Sequence, residues 1–131
     1  MEEPITVGLS AVGHDGLIRL QEDGYFAEMT DAFRFAIALG LAHGRESQGS
    51  GKRTTFLNVG SLDGDRSLYN AVKALAGHTE EPIYRVAERY AEWGVAEMIA
   101  ELEGGRLSLS KMLAEAEEKL SSGKAEPASH K

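Results

Sequence analysis

Three basic side chains with the chemistry to hold a phosphate lie close together in the sequence, in the polar segment GRESQGSGKR at residues 44–53. Arg45, Lys52 and Arg53 stand there among glycine and serine residues, which is the composition of a loop. Cations on such a loop can contact a nucleic-acid backbone. The segment is not a nucleotide-binding P-loop, because Lys52 is followed by Arg53 and not by Ser or Thr. The alternative is a solvated surface loop.

Acidic and histidine side chains do not follow the spacing of a metal site. Asp63, Asp65 and Asn58 surround a glycine, but a calcium loop needs further oxygen ligands and a distal Glu. Capping of a helix accounts for these residues better. The chain has no cysteine, and no zinc-ligand spacing relates its four histidines, which are His14, His43, His78 and His130. No catalytic motif is present in the sequence either. We therefore expect that the protein has no catalytic residue, no metal and no cofactor, and that it is not an enzyme.

Composition limits the partners of the chain. Its 131 residues carry a formal net charge of −7, which is unfavourable for non-specific DNA binding because affinity for phosphates depends on Lys and Arg. No apolar run is long enough to cross a membrane, and the start MEEPITVG lacks the features of a signal peptide. With no cysteine present, these features predict a cytoplasmic protein without a membrane contact.

The first elements form a strand–helix–helix order over about residues 5–44. Alternation of apolar and small polar residues predicts a short strand, and helices are expected at residues 12–23 and about 30–43. This order resembles a ribbon–helix–helix module. In that family two strands pair across a dimer axis and enter the major groove, which implies DNA contacts from Thr6 and Ser10. Both side chains are short and uncharged, so they are poor readers of base edges.

The second helix is apolar around most of its circumference between Ala32 and Ala42. Such a helix needs burial on two sides, which a second protomer or the rest of the chain can provide. The pattern favours a homodimer, and the residues predicted to form the dimer or partner surface are Ile5, Val7, Leu9, Phe33, Phe35, Ile37 and Leu39.

The remaining chain predicts one short strand at residues 54–59 and three helices, at about 66–76, 82–103 and 108–120. Asp65 is expected to cap the first of these helices, and Gly94 to permit a close helix crossing. Residues 121–131 are small and polar and should be a disordered tail. The predicted fold is α+β, mainly α, with a single domain over residues 1–120.

Two segments resemble small proteins associated with the Dnd system, the bacterial machinery of DNA phosphorothioate modification and its linked restriction. They are FAEMTDAFRFAIALGLAHGR at residues 26–45 and ERYAEWGVAEMIAELEGG at residues 88–105. The matched positions are Phe26, Asp31, Phe35, Ala36, Ala38, Leu39 and Gly40, then Glu88, Tyr90, Ala91, Gly94 and Val95. The chain departs from the family pattern at Trp93.

The matched residues are mostly apolar, so the resemblance transfers no catalytic residue. It implies a non-enzymatic accessory protein of a DNA-modification or defence system, acting through self-association and partner-protein binding. A DNA-binding regulator of the ribbon–helix–helix type is the alternative.

Overall fold

A two-stranded antiparallel sheet and six helices make up the part of the chain that the computed structural model describes, residues 2–48, 52–77 and 79–129. This arrangement confirms the predicted α+β, mainly α class. The strands are β1 (Thr6–Ser10) and β2 (Arg53–Asn58). The helices are α1 (Ala11–Glu22), α2 (Met29–His43), α3 (Val59–Leu62), α4 (Ser67–Ala76), α5 (Ile83–Glu103) and α6 (Leu109–Ser129).

Helices α2 and α5 cross at backbone distance in the centre of the molecule. A Cβ atom built on Gly94 would lie 2.2 Å from the carbonyl oxygen of Ala36, and one built on Gly40 would lie 2.6 Å from that of Tyr90. No side chain fits into either gap, so glycine is required on both helices. The predicted role of Gly94 in a close helix crossing is therefore confirmed.

The apolar side chains of β1 and α2 lie inside the single chain. Helices α5 and α6 both pack on α2, and together with α1 they provide the burial for which the sequence suggested a second protomer. Five of the seven residues predicted to form a dimer surface are therefore buried in the core and unavailable to a partner. The prediction is wrong for these five residues, which are Val7, Leu9, Phe33, Ile37 and Leu39.

The other two residues of that predicted surface lie outside the centre of the core. Ile5 is 77% exposed just before β1. Phe35 is half-buried, and its ring meets that of Phe26 edge to face at a centroid distance of 5.6 Å. These two side chains do not make a continuous apolar surface with the buried five.

Strand β1 pairs with β2 of its own chain. The register places Thr6 opposite Asn58 and Ser10 opposite Arg53, with a bulge between Val7 and Gly8. The strand–helix–helix order predicted for residues 5–44 is present, but the ribbon between two chains is not, because β2 occupies the edge where it would form.

Helix α6 continues through most of the predicted tail. It runs to Ser129, and residues 130 and 131 lie outside the described residues. The helix is fixed to the core by the buried Ala116 and by Met112. Once a helix is anchored in this way, further residues that carry an amide N–H can extend it without a new nucleation cost. Among the described helices, none combines the length and apolarity needed to cross a membrane.

Candidate functional site

The second edge of β1 is closed by two carboxylates of α5. The amide of Gly8 donates to Oε2 of Glu88 at 2.8 Å, and the amide of Ser10 donates to Oε2 of Glu92. Four residues span about 6 Å along a helix, and two residues span about 6.6 Å along a strand. The spacing of Glu88 and Glu92 along α5 therefore matches the spacing of the two β1 amides to which a third strand would otherwise bind.

Both carboxylates are buried and hydrogen-bonded, and Glu88 is also ion-paired. Glu88 is only 7% exposed and pairs with Arg53 of β2 and with Arg85, whose Nη1 lies 2.8 Å from Oε2 of the carboxylate. Glu92 is 8% exposed and accepts the hydroxyl of Ser10 at 3.0 Å. A buried charge is tolerated when it is paired and hydrogen-bonded, as that of Glu88 is. Glu92 is held by the two hydrogen bonds from Ser10. The arrangement fixes β1 on α5 and leaves neither carboxylate free for acid–base chemistry.

The five residues predicted to contact DNA do not form one surface. Ser10 is buried and caps α1 by accepting the amide of Gly13, while Arg53 is ion-paired to a buried carboxylate. Thr6 is half-buried at the opposite end of β1, and Lys52 is exposed. Arg45 follows α2 and lines a separate cavity. Residues 49–51 of the predicted loop lie outside the described residues.

The acidic residues around Gly64 act as helix caps, as the sequence predicted. Asp63 is buried and accepts the amides of Leu68 and Tyr69 at 2.9 and 2.8 Å, together with the hydroxyl of Tyr84 at 2.6 Å. The exposed Asp65 accepts the amide of Ser67 at 3.0 Å, and this hydrogen bond lowers its pKa. Asp63 is therefore the principal cap of α4, a role that the sequence assigned to Asp65.

Asn58 and the histidines also have structural contacts. The side chain of Asn58 accepts the amide of Gly60 at 2.7 Å and so caps α3. The ring of His14 packs on Phe56 at a centroid distance of 4.7 Å. His78 and His130 lie outside the described residues. Across residues 2–48, 52–77 and 79–129, no three His, Asp or Glu side chains come together as metal ligands would.

An apolar groove of about 350 Å³ lies between α1 and α5. Two glycines bring these helices together. A Cβ on Gly13 would lie 2.6 Å from Oε1 of Glu92, and one on Gly16 would lie 2.6 Å from Cγ1 of Val95. Because α1 lies so close to α5, the side chains on the adjoining face of α5 form the floor of this groove.

The surface of this groove is mostly aliphatic. Val95 and Ile99 are buried or half-buried at its floor, and the exposed residues Val12, Ala96 and Ala100 form its walls. Val12 is 67% exposed, which is a high value for a branched apolar side chain. These side chains give the groove a mostly apolar surface.

The rim of the groove is charged. Arg19 is held by Glu103, with Nη1 and Oε2 3.1 Å apart, and its Nε lies 3.8 Å from Oδ2 of Asp23. Asp15 lines the same rim and makes no ion pair with any residue that the structure describes. The rim therefore presents a negative charge to an occupant. The sequence did not predict this groove, although the two glycines three residues apart on α1 could have indicated a close packing partner.

Comparison of the chain with protein-family models, with curated proteins and with solved structures gives no match in any of the three. The function must therefore be argued from the surfaces and side chains of this molecule.

Proposed function

We propose that this protein is a non-enzymatic accessory protein that binds a partner protein through the groove between α1 and α5. The observation that carries the proposal is the groove itself, an open aliphatic surface whose wall includes a Val12 side chain that is 67% exposed. Apolar surface that is contiguous, open and rimmed by polar residues is typical of protein interaction sites. The Dnd resemblance adds the setting, a bacterial DNA-modification or defence system.

The occupant we propose is an amphipathic helix with a basic flank. Ala96 and Ala100 are one turn apart on α5, and their small side chains allow another helix to approach closely. Helices commonly bind by placing an apolar face in such a groove. The unpaired Asp15 at the rim and the net charge of −7 favour a basic partner. Proteins that hold DNA have basic surfaces of this kind.

Self-association through the strand and second helix is not part of this proposal, because most of the side chains that it requires are in the core. The residues predicted to contact DNA do not support direct DNA binding either, because they do not form one surface. Arg53 is ion-paired with Glu88, Ser10 is buried, and Arg45 lies at a different cavity.

The proposal is tested with purified proteins of a Dnd machinery and the variant Val12→Glu. Isothermal titration calorimetry should show that this variant binds its partner at least about tenfold more weakly, because a charge would be buried in an apolar contact. The control is Leu75→Glu, since Leu75 is also apolar and 51% exposed but lies on α4. Circular dichroism should show both variants folded. Equal affinity of wild type and Val12→Glu would contradict the proposal.

The alternative of a DNA-binding regulator is tested by fluorescence anisotropy on plain and phosphorothioated duplexes across a salt titration. We expect weak binding without preference for either duplex, because the chain is acidic. Tight, salt-sensitive binding by the isolated protein would overturn the accessory role, and its loss on replacing Arg45 and Lys52 with Ala would place the contact at the loop.

A further inference from the structure

A second and larger cavity lies between the end of α2, the middle of α5 and the first half of α6. Its volume is about 650 Å³, and it shares no lining residue with the groove between α1 and α5. Small-molecule sites generally fall between about 300 and 1,000 Å³. The cavity therefore has room for a ligand of that size.

An aromatic pair forms one wall of this cavity. The rings of Trp93 and His43 lie 5.3 Å apart between centroids and are tilted by 46°. Both side chains are half-buried, and Trp93 also packs against the core. Its position is thus fixed, and the indole offers a flat apolar face on which a planar ring can stack. The departure from the Dnd family pattern at Trp93 is located at this wall.

Free cations form another part of the wall. Arg45, Lys111 and Lys119 line the cavity, and none of them is ion-paired within the described parts of the chain. The fourth cation, Arg106, is engaged by Glu101, with Nε and Oε1 3.4 Å apart. The lining as a whole carries four cations and three carboxylates, so it is slightly positive in a chain whose net charge is −7. Arg and Lys side chains in this setting bind phosphate or carboxylate groups.

Two further carboxylates line the cavity beside Glu101. Glu97 and Glu115 project from α5 and α6 and, like the cations, have no ion-pair partner among the residues that the structure describes. They can accept hydrogen bonds from ring N–H groups. A simple anion would have no use for the aromatic wall or for these acceptors, and an apolar ligand would leave the charges unused.

We propose that this cavity binds a free nucleotide. The base stacks on Trp93 and donates its N–H groups to Glu97 or Glu115. The phosphate is held by Arg45 and Lys111. A nucleotide uses the flat ring surface, the acceptors and the cations together. This site is independent of the groove to which we assign partner binding.

The first test uses the protein's own fluorescence. Trp93 is the only tryptophan in the chain, so its emission reports on this cavity alone. Titration with adenosine monophosphate or guanosine monophosphate should give a saturating change. Inorganic phosphate or adenosine alone should bind at least about tenfold more weakly, because each makes only part of the contacts. Free tryptophanamide titrated in parallel corrects for absorption by the base.

The second test separates the cavity from non-specific charge effects. Calorimetry should show that Arg45→Ala and Lys111→Ala each weaken nucleotide binding by about tenfold or more, since each removes a charge-assisted contact. Lys52→Ala is the matched control, because it removes one exposed cation elsewhere and should not change affinity. The Val12→Glu variant of the other groove should also bind the nucleotide normally.

Several outcomes would overturn the proposal. One is the absence of saturable binding by both nucleotides in fluorescence and calorimetry. Another is an affinity for inorganic phosphate equal to that for the nucleotides, which would indicate an anion site only. A third is unchanged affinity in both Arg45→Ala and Lys111→Ala. Tighter binding of a short single-stranded oligonucleotide than of the mononucleotide would assign the cavity to a nucleic-acid strand instead.

Discussion

Single glycines determine how closely the two central helices approach. Gly94 faces the carbonyl of Ala36, and a Cβ atom there would lie 2.2 Å from that oxygen. The variant Gly94→Ala must push α5 away from α2, so we expect it to lose about 2 kcal/mol or more of unfolding free energy. Urea unfolding followed by circular dichroism measures this loss.

The matched control for this prediction is Gly64→Ala. A Cβ on Gly64 would have its nearest contact at 3.3 Å, with the carbonyl oxygen of Gly60, and the residue is exposed. A shift of a few tenths of an ångström relieves this contact, so we expect a loss of about 1 kcal/mol or less, smaller than that of Gly94→Ala. If both variants lose the same stability, the crossing of α2 and α5 is not the reason that glycine is needed at position 94.

A buried phenol makes stability depend on alkaline pH. Burial, and then the hydrogen bond to Asp63, raises the pKa of Tyr84 well above its usual value of 10.0. The folded state therefore favours the protonated phenol more than the unfolded state does. This contribution is fully present below pH 10, and it decreases as the pH rises above the pKa of the unfolded chain.

We expect urea unfolding of the wild type to show a steeper loss of stability above about pH 10 than unfolding of Tyr84→Phe. Burial also raises the pKa of Tyr90, so part of the slope should persist in the variant. At neutral pH the variant should be less stable by about 1 kcal/mol, the usual contribution of one hydrogen bond. Identical pH profiles of the two proteins would show that the Tyr84 phenol does not titrate differently in the folded state.

At the level of secondary structure, the unusual feature is β1, because the amides on its second edge donate to side chains of a helix and not to another strand. Glu92 of α5 holds both the amide and the hydroxyl of Ser10. In Glu92→Ala the buried amide loses its partner, and we expect a loss of about 1–3 kcal/mol. Hydrogen exchange at the Ser10 amide should become faster than at the Leu9 amide.

The control is Glu97→Ala, which removes an exposed carboxylate from the same helix and should be close to neutral. Glu92→Gln keeps one oxygen to accept the amide and should fall between the two. Were Glu92→Ala as stable as Glu97→Ala, the carboxylate would not be what holds this edge of β1.

Local sequence patterns predicted the elements themselves but not their pairing. Apolar periodicity and the terminal glycines placed α5 at residues 82–103 and β2 at 54–59, each within one residue of Ile83–Glu103 and Arg53–Asn58. The partner of β1 depends on contacts far along the chain, so no local signal could assign it. Glu88 and Glu92 have the composition of a solvated helix face, and only the tertiary structure shows that they are buried.

The candidate sites were harder to predict than the fold for the same reason. Apolar surface at Val12, Ala96 and Ala100 becomes a groove only when α1 and α5 are placed side by side. The nucleotide cavity likewise collects residues from three helices, and Arg45 was the only cation of that cavity that the sequence had singled out as a ligand contact. The spacing of residues along the chain does not show which distant segments pack together.

At the scale of the whole molecule, the apolar second helix could be buried in two ways. The hydrophobic effect is non-directional, so a helix that is apolar on most sides can be buried by a second protomer or by its own chain. In the structure the chain itself buries the helix: α5 and α6 cover α2 and leave Phe33 and Ile37 without exposed area. The protomer therefore has a closed core of its own, and its folding should not require association.

This closed core predicts stability that does not depend on protein concentration. Thermal unfolding at two concentrations about a hundredfold apart should give the same midpoint, whereas an obligate dimer gains stability with concentration. Phe33→Ala should lower the free energy of unfolding by about 3–5 kcal/mol at both concentrations, because it opens a cavity inside one chain. Phe35→Ala, at a half-buried position, should lower it less. A midpoint that rises with concentration, together with a dimer in light scattering, would mean that association supplies stability that the core of one chain does not.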